Sequence, residues 1–339
     1  MENFARFSFL FLSNNEMPTH KKFIKLLGLL LRNVVLDILI IVNGLILYLM
    51  YYIIFSIFLG GKLTILFSIL LSLFTMFGLI YIALTPFGEK FLTFKFKLRK
   101  LLPDEEAIVK NEVSEVFEKS NLSGKVDLYI SPDSDLNAFA FGTKSVAITK
   151  GLLYALISDK KIGEDHQIYK YFSGTEGQVN QNFLNINVTS EEFKAIVAHE
   201  VGHIINGDTV FSLVASVADA VGTFAATVIT TFALIISHIA YFGSDDSSRP
   251  FAFVLVIFAW GLKAISWLLK QFLLIEHMVV SRAQEFAADY YAGALGYREH
   301  LISFLRKIEH LDSKKETLLS LAMRSHPPTS KRIENLLNS

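Results

Sequence analysis

Apolar residues in this chain fall into four long runs separated by polar stretches. Asn33 to Leu59 and Leu63 to Leu84 are joined by Gly60-Gly61-Lys62, and Val210 to Phe242 and Phe251 to Ile275 by a polar loop from Gly243 to Pro250. Each run reaches the roughly 20 residues needed to cross the hydrocarbon of a bilayer as a helix. The pattern predicts two transmembrane hairpins, 33–85 and 210–275. Lys21, Lys22, Lys25 and Arg32 precede the first hairpin, and Lys90, Lys95, Lys97, Arg99 and Lys100 follow it, whereas its turn holds only Lys62. Cationic flanks stay on the cytoplasmic side, so the leader (1–32) and the polar regions 86–209 and 276–339 are expected there. Residues 1 to 20 lack the basic, apolar and small-residue order of a signal peptide and are expected to form a poorly ordered leader.

The polar regions carry their own periodicities. Pro103-Asp104-Glu105-Glu106 opens a predicted helix with Ile108, Val109, Val113, Val116 and Phe117 on its apolar face. Val126 to Ile130 and Val146 to Thr149 read as short strands, with Asn137 to Gly142 as a third strand and its approach. Gly151 to Ile157 reads as a short helix. Ser158 to Asn182 has no clear period and is expected to be a surface insertion. Thr189, followed three residues later by Glu192, forms a capping-box pattern opening a helix that carries Ala195 to Ile205. Amphipathic helices fill the tail. The expected fold class is α+β, mainly helical, on a four-span membrane protein.

Composition agrees and narrows the chemistry. Hydrophobic residues make up 52% of the chain, high for a purely soluble protein. Thirty-two basic residues balance 32 acidic ones, so no global field recruits nucleic acid. The absence of cysteine removes disulfides, thiol nucleophiles and thiolate metal sites, leaving His, Asp and Glu as candidate ligands.

His199-Glu200-Val201-Gly202-His203 falls within the capped helix. Histidines four residues apart share a helix face, so both imidazoles can reach one zinc ion, while Glu200 beside them can take a proton from the attacking water. A catalytic zinc normally has three protein ligands and an open position, so a third must come from elsewhere in the chain. Glu285 in Ser281-Arg282-Ala283-Gln284-Glu285-Phe286-Ala287-Ala288-Asp289 is the best candidate; its alternative is a surface charge paired with Arg282 or Arg298. Asp289 shares a helix face with Glu285 and could accept the other ring N–H of His199. Asp219 and Lys263 sit at similar depth in the third and fourth runs and could pair, the alternative being a snorkelling Lys263 and a protonated Asp219.

The order of a transmembrane hairpin, Asn137-Ala138-Phe139, the His199 to His203 motif, two more apolar runs, Ser281 to Asp289 and Ser325-His326-Pro327-Pro328 resembles the HtpX family of membrane zinc proteases. The resemblance covers most of the chain up to Arg332. It implies a gluzincin-type protease domain on the cytoplasmic side of a bacterial inner membrane, with one zinc held by His199, His203 and Glu285, and a role in degrading damaged membrane proteins. It also implies that Asn137, Ala138 and Phe139 pair with the substrate backbone and that His326 and Arg332 face the scissile carbonyl. The partners it implies are protein substrates and the bilayer. The competing functions are a narrow peptidase acting on prenylated CAAX-type C-termini and a catalytically silent membrane scaffold; the intact Glu200 speaks against the scaffold.

Overall fold

The computed structural model describes residues 19–159, 187–242, 249–309 and 327–338. The insertion expected at 158–182 and the leader up to residue 18 lie outside these residues, apart from Ser158 and Asp159, which end a helix. Among the described residues two compact units emerge, one from 86–159, 187–210, 281–309 and 327–338 together with 19–25, the other from 26–85, 211–242 and 249–280.

The first unit is built on a four-stranded sheet. Helix α1 (Thr19–Ser56) and helix α2 (Gly61–Ala83) precede it, followed by α3 (Pro86–Lys95). Strand β1 (Arg99–Lys100), α4 (Pro103–Lys119), β2 (Asp127–Ser131), β3 (Ala138–Phe141), β4 (Ser145–Thr149) and α5 (Lys150–Asp159) come next. After these come α6 (Ser190–Ile205), α7 (Asp208–Phe242) and α8 (Arg249–Ala292), a five-residue π-turn (Gly293–Tyr297), α9 (Arg298–Glu309) and α10 (Thr329–Leu337). The strand order is β1-β2-β4-β3, with β2 and β4 parallel and the outer pairs antiparallel.

The predicted strands and the helices at 103, 151 and 190 form within a residue or two of their expected bounds, because each pairs an apolar face with a start signal. Val109, Val113 and Val116 of α4, Ile130 and Ile148 of the sheet, Leu152 and Leu156 of α5, and Phe193, Val197 and Val201 of α6 make one core. Sequence reasoning missed β1, too short to show alternation, and α3, which lay inside the basic flank of the second apolar run. It also treated the Ser281 to Asp289 stretch as separate from the fourth apolar run, whereas α8 is continuous from Arg249 to Ala292.

Helix α6 starts as its capping box requires. Thr189 Oγ1 accepts the Glu192 N–H at 3.2 Å, and Glu192 Oε2 accepts the Thr189 N–H at 2.9 Å. Glu192 also receives Ser303 Oγ at 2.6 Å and Lys307 Nζ at 2.6 Å, tying the start of α6 to α9.

The second unit holds the membrane-crossing candidates: Leu36–Ser56, Gly61–Ala83, Asp208–Phe242, which begins in the first unit, and Arg249–Leu268. Many of its large apolar side chains are exposed, as with Phe74 and Phe232, while Leu39, Leu47, Met50, Met76 and Ile229 form its core beside small and polar groups such as Ala218, Ala225, Asn43 and Ser68. On α2 the buried row is Thr64, Ser68, Ser72 and Met76, spaced by four. Its serine hydroxyls are satisfied inside the helix, Ser68 Oγ donating to Thr64 O at 2.7 Å and Ser72 Oγ to Ile69 O at 2.9 Å, while Thr64 Oγ1 donates back to Leu59 O at 2.9 Å. Buried Asn43 lies so close to Gly222 that any Cβ there would overlap its carboxamide. The pairing of Asp219 with Lys263 does not form. Lys263 is exposed, with its ammonium 5.5 Å from the centre of the Trp260 ring.

Burial pushes the Glu192 carboxyl up, but Lys307, Ser303 and the Thr189 N–H outweigh it and bring its pKa below the ordinary value of 4.5. A depressed carboxyl stabilises the fold above the unfolded pKa and loses that contribution as pH falls through the folded one. Glu192→Gln should therefore cost about 1–2 kcal/mol at pH 7, with the deficit shrinking as pH drops below about 4.5. Thermal unfolding of the two purified proteins in detergent across that pH range measures both effects.

Candidate metal centre

Helix periodicity brings His199 and His203 onto one face of α6, with ring centres 4.9 Å apart and planes at 88°. Helix α8 packs tightly against α6 where Gly202 meets Ala288: a Cβ at Gly202 would stand 2.9 Å from Ala288 Cα. Glycine at that position lets α8 deliver Glu285 and Asp289 to the histidines.

Each ring is oriented from behind. His199 Nδ1 lies 2.9 Å from Asp289 Oδ1, and His203 Nδ1 lies 3.0 Å from Asp208 Oδ2. With Nδ1–H donated to a carboxylate, each imidazole turns its Nε2 lone pair forward. Glu285 faces both, with Oε2 3.4 Å from His199 Nε2 and Oε1 3.6 Å from His203 Nε2. The three side chains offer ligand atoms all within 4.8 Å of one another. Glu200 points toward the sheet, where its Oε2 accepts the Ala140 N–H at 2.8 Å.

Arg332 on α10 reaches Asp289 with two parallel bonds, Nε to Oδ2 at 2.9 Å and Nη2 to Oδ1 at 2.6 Å, while Nη1 lies 3.4 Å from Glu285 Oε2. Asp289 is fully buried. Burial and Arg332 both lower His199, yet Asp289 and Glu285 raise its pKa on balance. Burial opposes protonation of His203 too, but Asp208 and Glu285 carry it well above its usual value. Burial works against the Asp289 carboxylate, and Arg332 and His199 keep it below the usual range. Carboxylates that favour a proton on these rings favour a cation between them by the same field.

Structure and sequence differ here in three places. Asp208 and Ala140 join the cluster without having been singled out. Asp208 had a legible signal, an acidic residue opening a helix five positions after a candidate ligand, whereas Ala140 acts through its backbone and has none. The backbone of Asn137 is turned inward, its N–H donating to Thr149 Oγ1 and its carbonyl accepting the Thr149 N–H. Antiparallel alternation then turns Phe139 toward β4 as well, and leaves the polar groups of Ala138 and Ala140 on the outer edge of β3. His326 lies outside the described residues.

Two imidazoles with Nε2 forward and one carboxylate form a three-ligand set of the catalytic zinc type. Glu285, Asp289 and Asp208 crowd the two imidazoles, Glu200 stands beside them on the same helix, and Arg332 is bonded to Asp289 and near Glu285, so a divalent cation fits the site's charge as well as its ligand chemistry.

The sequence profile described as Peptidase family M48 matches residues 103–339, more than half of the chain. The chain belongs to peptidase family M48. It is 28% identical over 235 residues to a Protease HtpX homolog from Sulfurovum sp. (strain NBC37-1), covering 62% of this chain and 67% of that protein. It is 27% identical over 305 residues to Protease HtpX of Shewanella frigidimarina (strain NCIMB 400), covering 78% and 90%. Against Protease HtpX of Actinobacillus pleuropneumoniae serotype 5b (strain L20) the match spans 65% of the relative's length. The crystal structure of S. mikatae Ste24p aligns over 86% of this chain and 62% of that one at 19% identity, with a TM-score of 0.44. This M48 member is thus an HtpX-like membrane metalloprotease, and zinc is the metal its family and its ligand set share.

If Asp289 orients His199, Asp289→Asn should weaken zinc binding by about 10–100-fold. Competition against a chromophoric chelator reads the affinity directly, and unchanged affinity would remove Asp289 from the site.

Proposed function

We propose that this M48 member is a zinc endopeptidase cutting peptide bonds in membrane proteins or in segments beside the bilayer, and that it serves membrane protein quality control. The observation that carries this reading is the convergence of His199, His203 and Glu285 with Glu200 standing between them and the outer edge of β3. Four long apolar helices among the described residues favour substrates at the membrane. The basic residues on both flanks of the first hairpin favour a catalytic unit on the cytoplasmic side of a bacterial inner membrane.

In the proposed mechanism His199, His203 and Glu285 hold the metal, with Asp289 and Asp208 fixing the two imidazoles. Zinc, when bound, supplies Lewis acidity to the attacking water and the scissile carbonyl. Glu200 takes the water's proton and returns it to the leaving amine. A substrate in extended form adds to β3 through the outward backbone groups of Ala138 and Ala140, which fixes its register while tolerating many side chains. Asn137 and Phe139 flank that contact and bound the strand's approach. Arg332 holds Asp289 by two bonds and, with Nη1 near Glu285, contributes positive potential where the oxyanion develops; His326 is assigned to the oxyanion through the family resemblance.

Glu200→Gln should retain zinc and lose cleavage by about 10²–10⁴-fold. Casein and a reconstituted membrane protein are the substrates to compare, with metal content measured on the same samples. Equal cleavage by the variant would overturn the role of Glu200, and cleavage confined to a prenylated C-terminal peptide would overturn the broad endopeptidase reading.

A further inference from the structure

Helix α3, which the apolar pattern alone did not distinguish from the chain around it, has two unlike faces. At about 100° per residue, Phe87, Phe91 and Phe94 fall within an arc of about 60°. They are 67%, 58% and 83% exposed. Exposed Lys90 and Lys95 flank this stripe on either side, and exposed Lys97 follows the helix. The opposite face packs inward. Gly88 is buried, and Leu92 and Glu89 approach the turn at Gly142 between β3 and β4. The helix's one acidic residue, Glu89, is turned onto that side, where it accepts bonds from Tyr129 OH at 3.2 Å and from Ser145 Oγ. The outward face therefore carries three phenyl rings and only positive charge.

In a water-soluble domain such a stripe would be a liability; beside a membrane span it has an occupant in the bilayer surface. The second candidate span ends at Ala83, three residue steps before Pro86, so the start of α3 is within about 11 Å of the end of a membrane-crossing helix. Phenyl rings flanked by lysines on a short helix match the boundary between acyl chains and anionic headgroups.

We propose that α3 is an interfacial helix, with Phe87, Phe91 and Phe94 inserted into the bilayer surface and Lys90, Lys95 and Lys97 on anionic lipid headgroups. One consequence rests on the function proposed above. Because α3 packs at the β3–β4 turn and Phe96 touches Phe139 with ring centres 6.0 Å apart, a docked α3 holds the substrate-pairing edge about one helix diameter, roughly 10 Å, from the headgroups. Chain segments emerging from the membrane would reach that edge without unfolding far into water.

The test needs no protease activity, so it stands apart from the fate of the enzymatic reading. The chain has no cysteine, so Phe91→Cys and Phe94→Cys each give one labelling site, with Ser123→Cys on the exposed turn after α4 as the aqueous control. Each full-length variant, labelled with an environment-sensitive fluorophore, is placed one copy per nanodisc in phosphatidylcholine with or without phosphatidylglycerol. The labels at 91 and 94 are expected to emit at shorter wavelength and to be several-fold less accessible to iodide than the label at 123. Protection should rise with phosphatidylglycerol, and Lys90→Glu with Lys95→Glu should cancel that rise, each lysine being worth about fivefold in the docked-to-undocked ratio. Iodide access at 91 and 94 equal to that at 123 would overturn the proposal. So would protection that ignores phosphatidylglycerol, or that needs two copies per disc, the mark of a protein partner.

Discussion

The buried crowd of carboxylates around His199 and His203 is the constraint on which the rest of the catalytic unit depends. Glu200, Glu285, Asp208 and Asp289 approach two imidazoles where water cannot screen them, and Arg332 is the guanidinium set against them. Such a cluster repels itself unless protons or a cation intervene. The raised pKa values of both histidines show which way the field pushes, and a divalent ion answers the same demand as protons would. The site thus favours metal by its electrostatics before any ligand distance is considered.

Holding that cluster together requires two helices to approach more closely than ordinary side chains allow. Gly202 supplies the space against Ala288, one residue before the second histidine and one before Asp289. The start of α6 is fixed as firmly as its middle, since Glu192 caps the helix and simultaneously receives Ser303 and Lys307 from α9. Arg332 then ties α10 to Asp289. Three helices distant in sequence are therefore locked to the motif helix through polar contacts made by single side chains, and a change at any of them reaches the histidines in one or two steps.

What was legible in the sequence was whatever repeats or is spaced locally. The capping box at Thr189, the four-residue step between the histidines, the apolar faces of α4 and α5 and the apolar runs of the four spans all have a period or an offset that physics ties to one conformation. Glu285 and Asp289 were legible by ligand count and by their own four-residue step. Asp208 and Ala140 were not, because one acts from the next helix and the other through its backbone. The Asp219 and Lys263 pairing failed for a related reason: equal depth along two helices says nothing about rotation around them, and rotation leaves Lys263 exposed. Helix α3 carries a stripe at 87, 91 and 94, but its three phenylalanines sit among the lysines of the hairpin's basic flank, which mask the period.

The edge strand β3 meets the motif helix at Glu200. A terminal strand with unpaired N–H and C=O groups invites association with any extended chain, a hazard most proteins suppress with charge, brevity or cover. Here β3 is only four residues long, its outward donors and acceptors come from Ala138 and Ala140, and the Ala140 N–H is already held by Glu200. Brevity and a carboxylate blunt the edge toward other copies of the sheet, yet both leave it usable: a carboxylate that accepts one N–H can exchange it for another donor, and two small side chains raise no barrier to a backbone drawing alongside. A longer or bulkier edge would bind chains indiscriminately, and a covered one would bind none. On the proposed reading, the short strand beside Glu200 satisfies both conditions, because the residue that guards the edge stands beside His199 and His203.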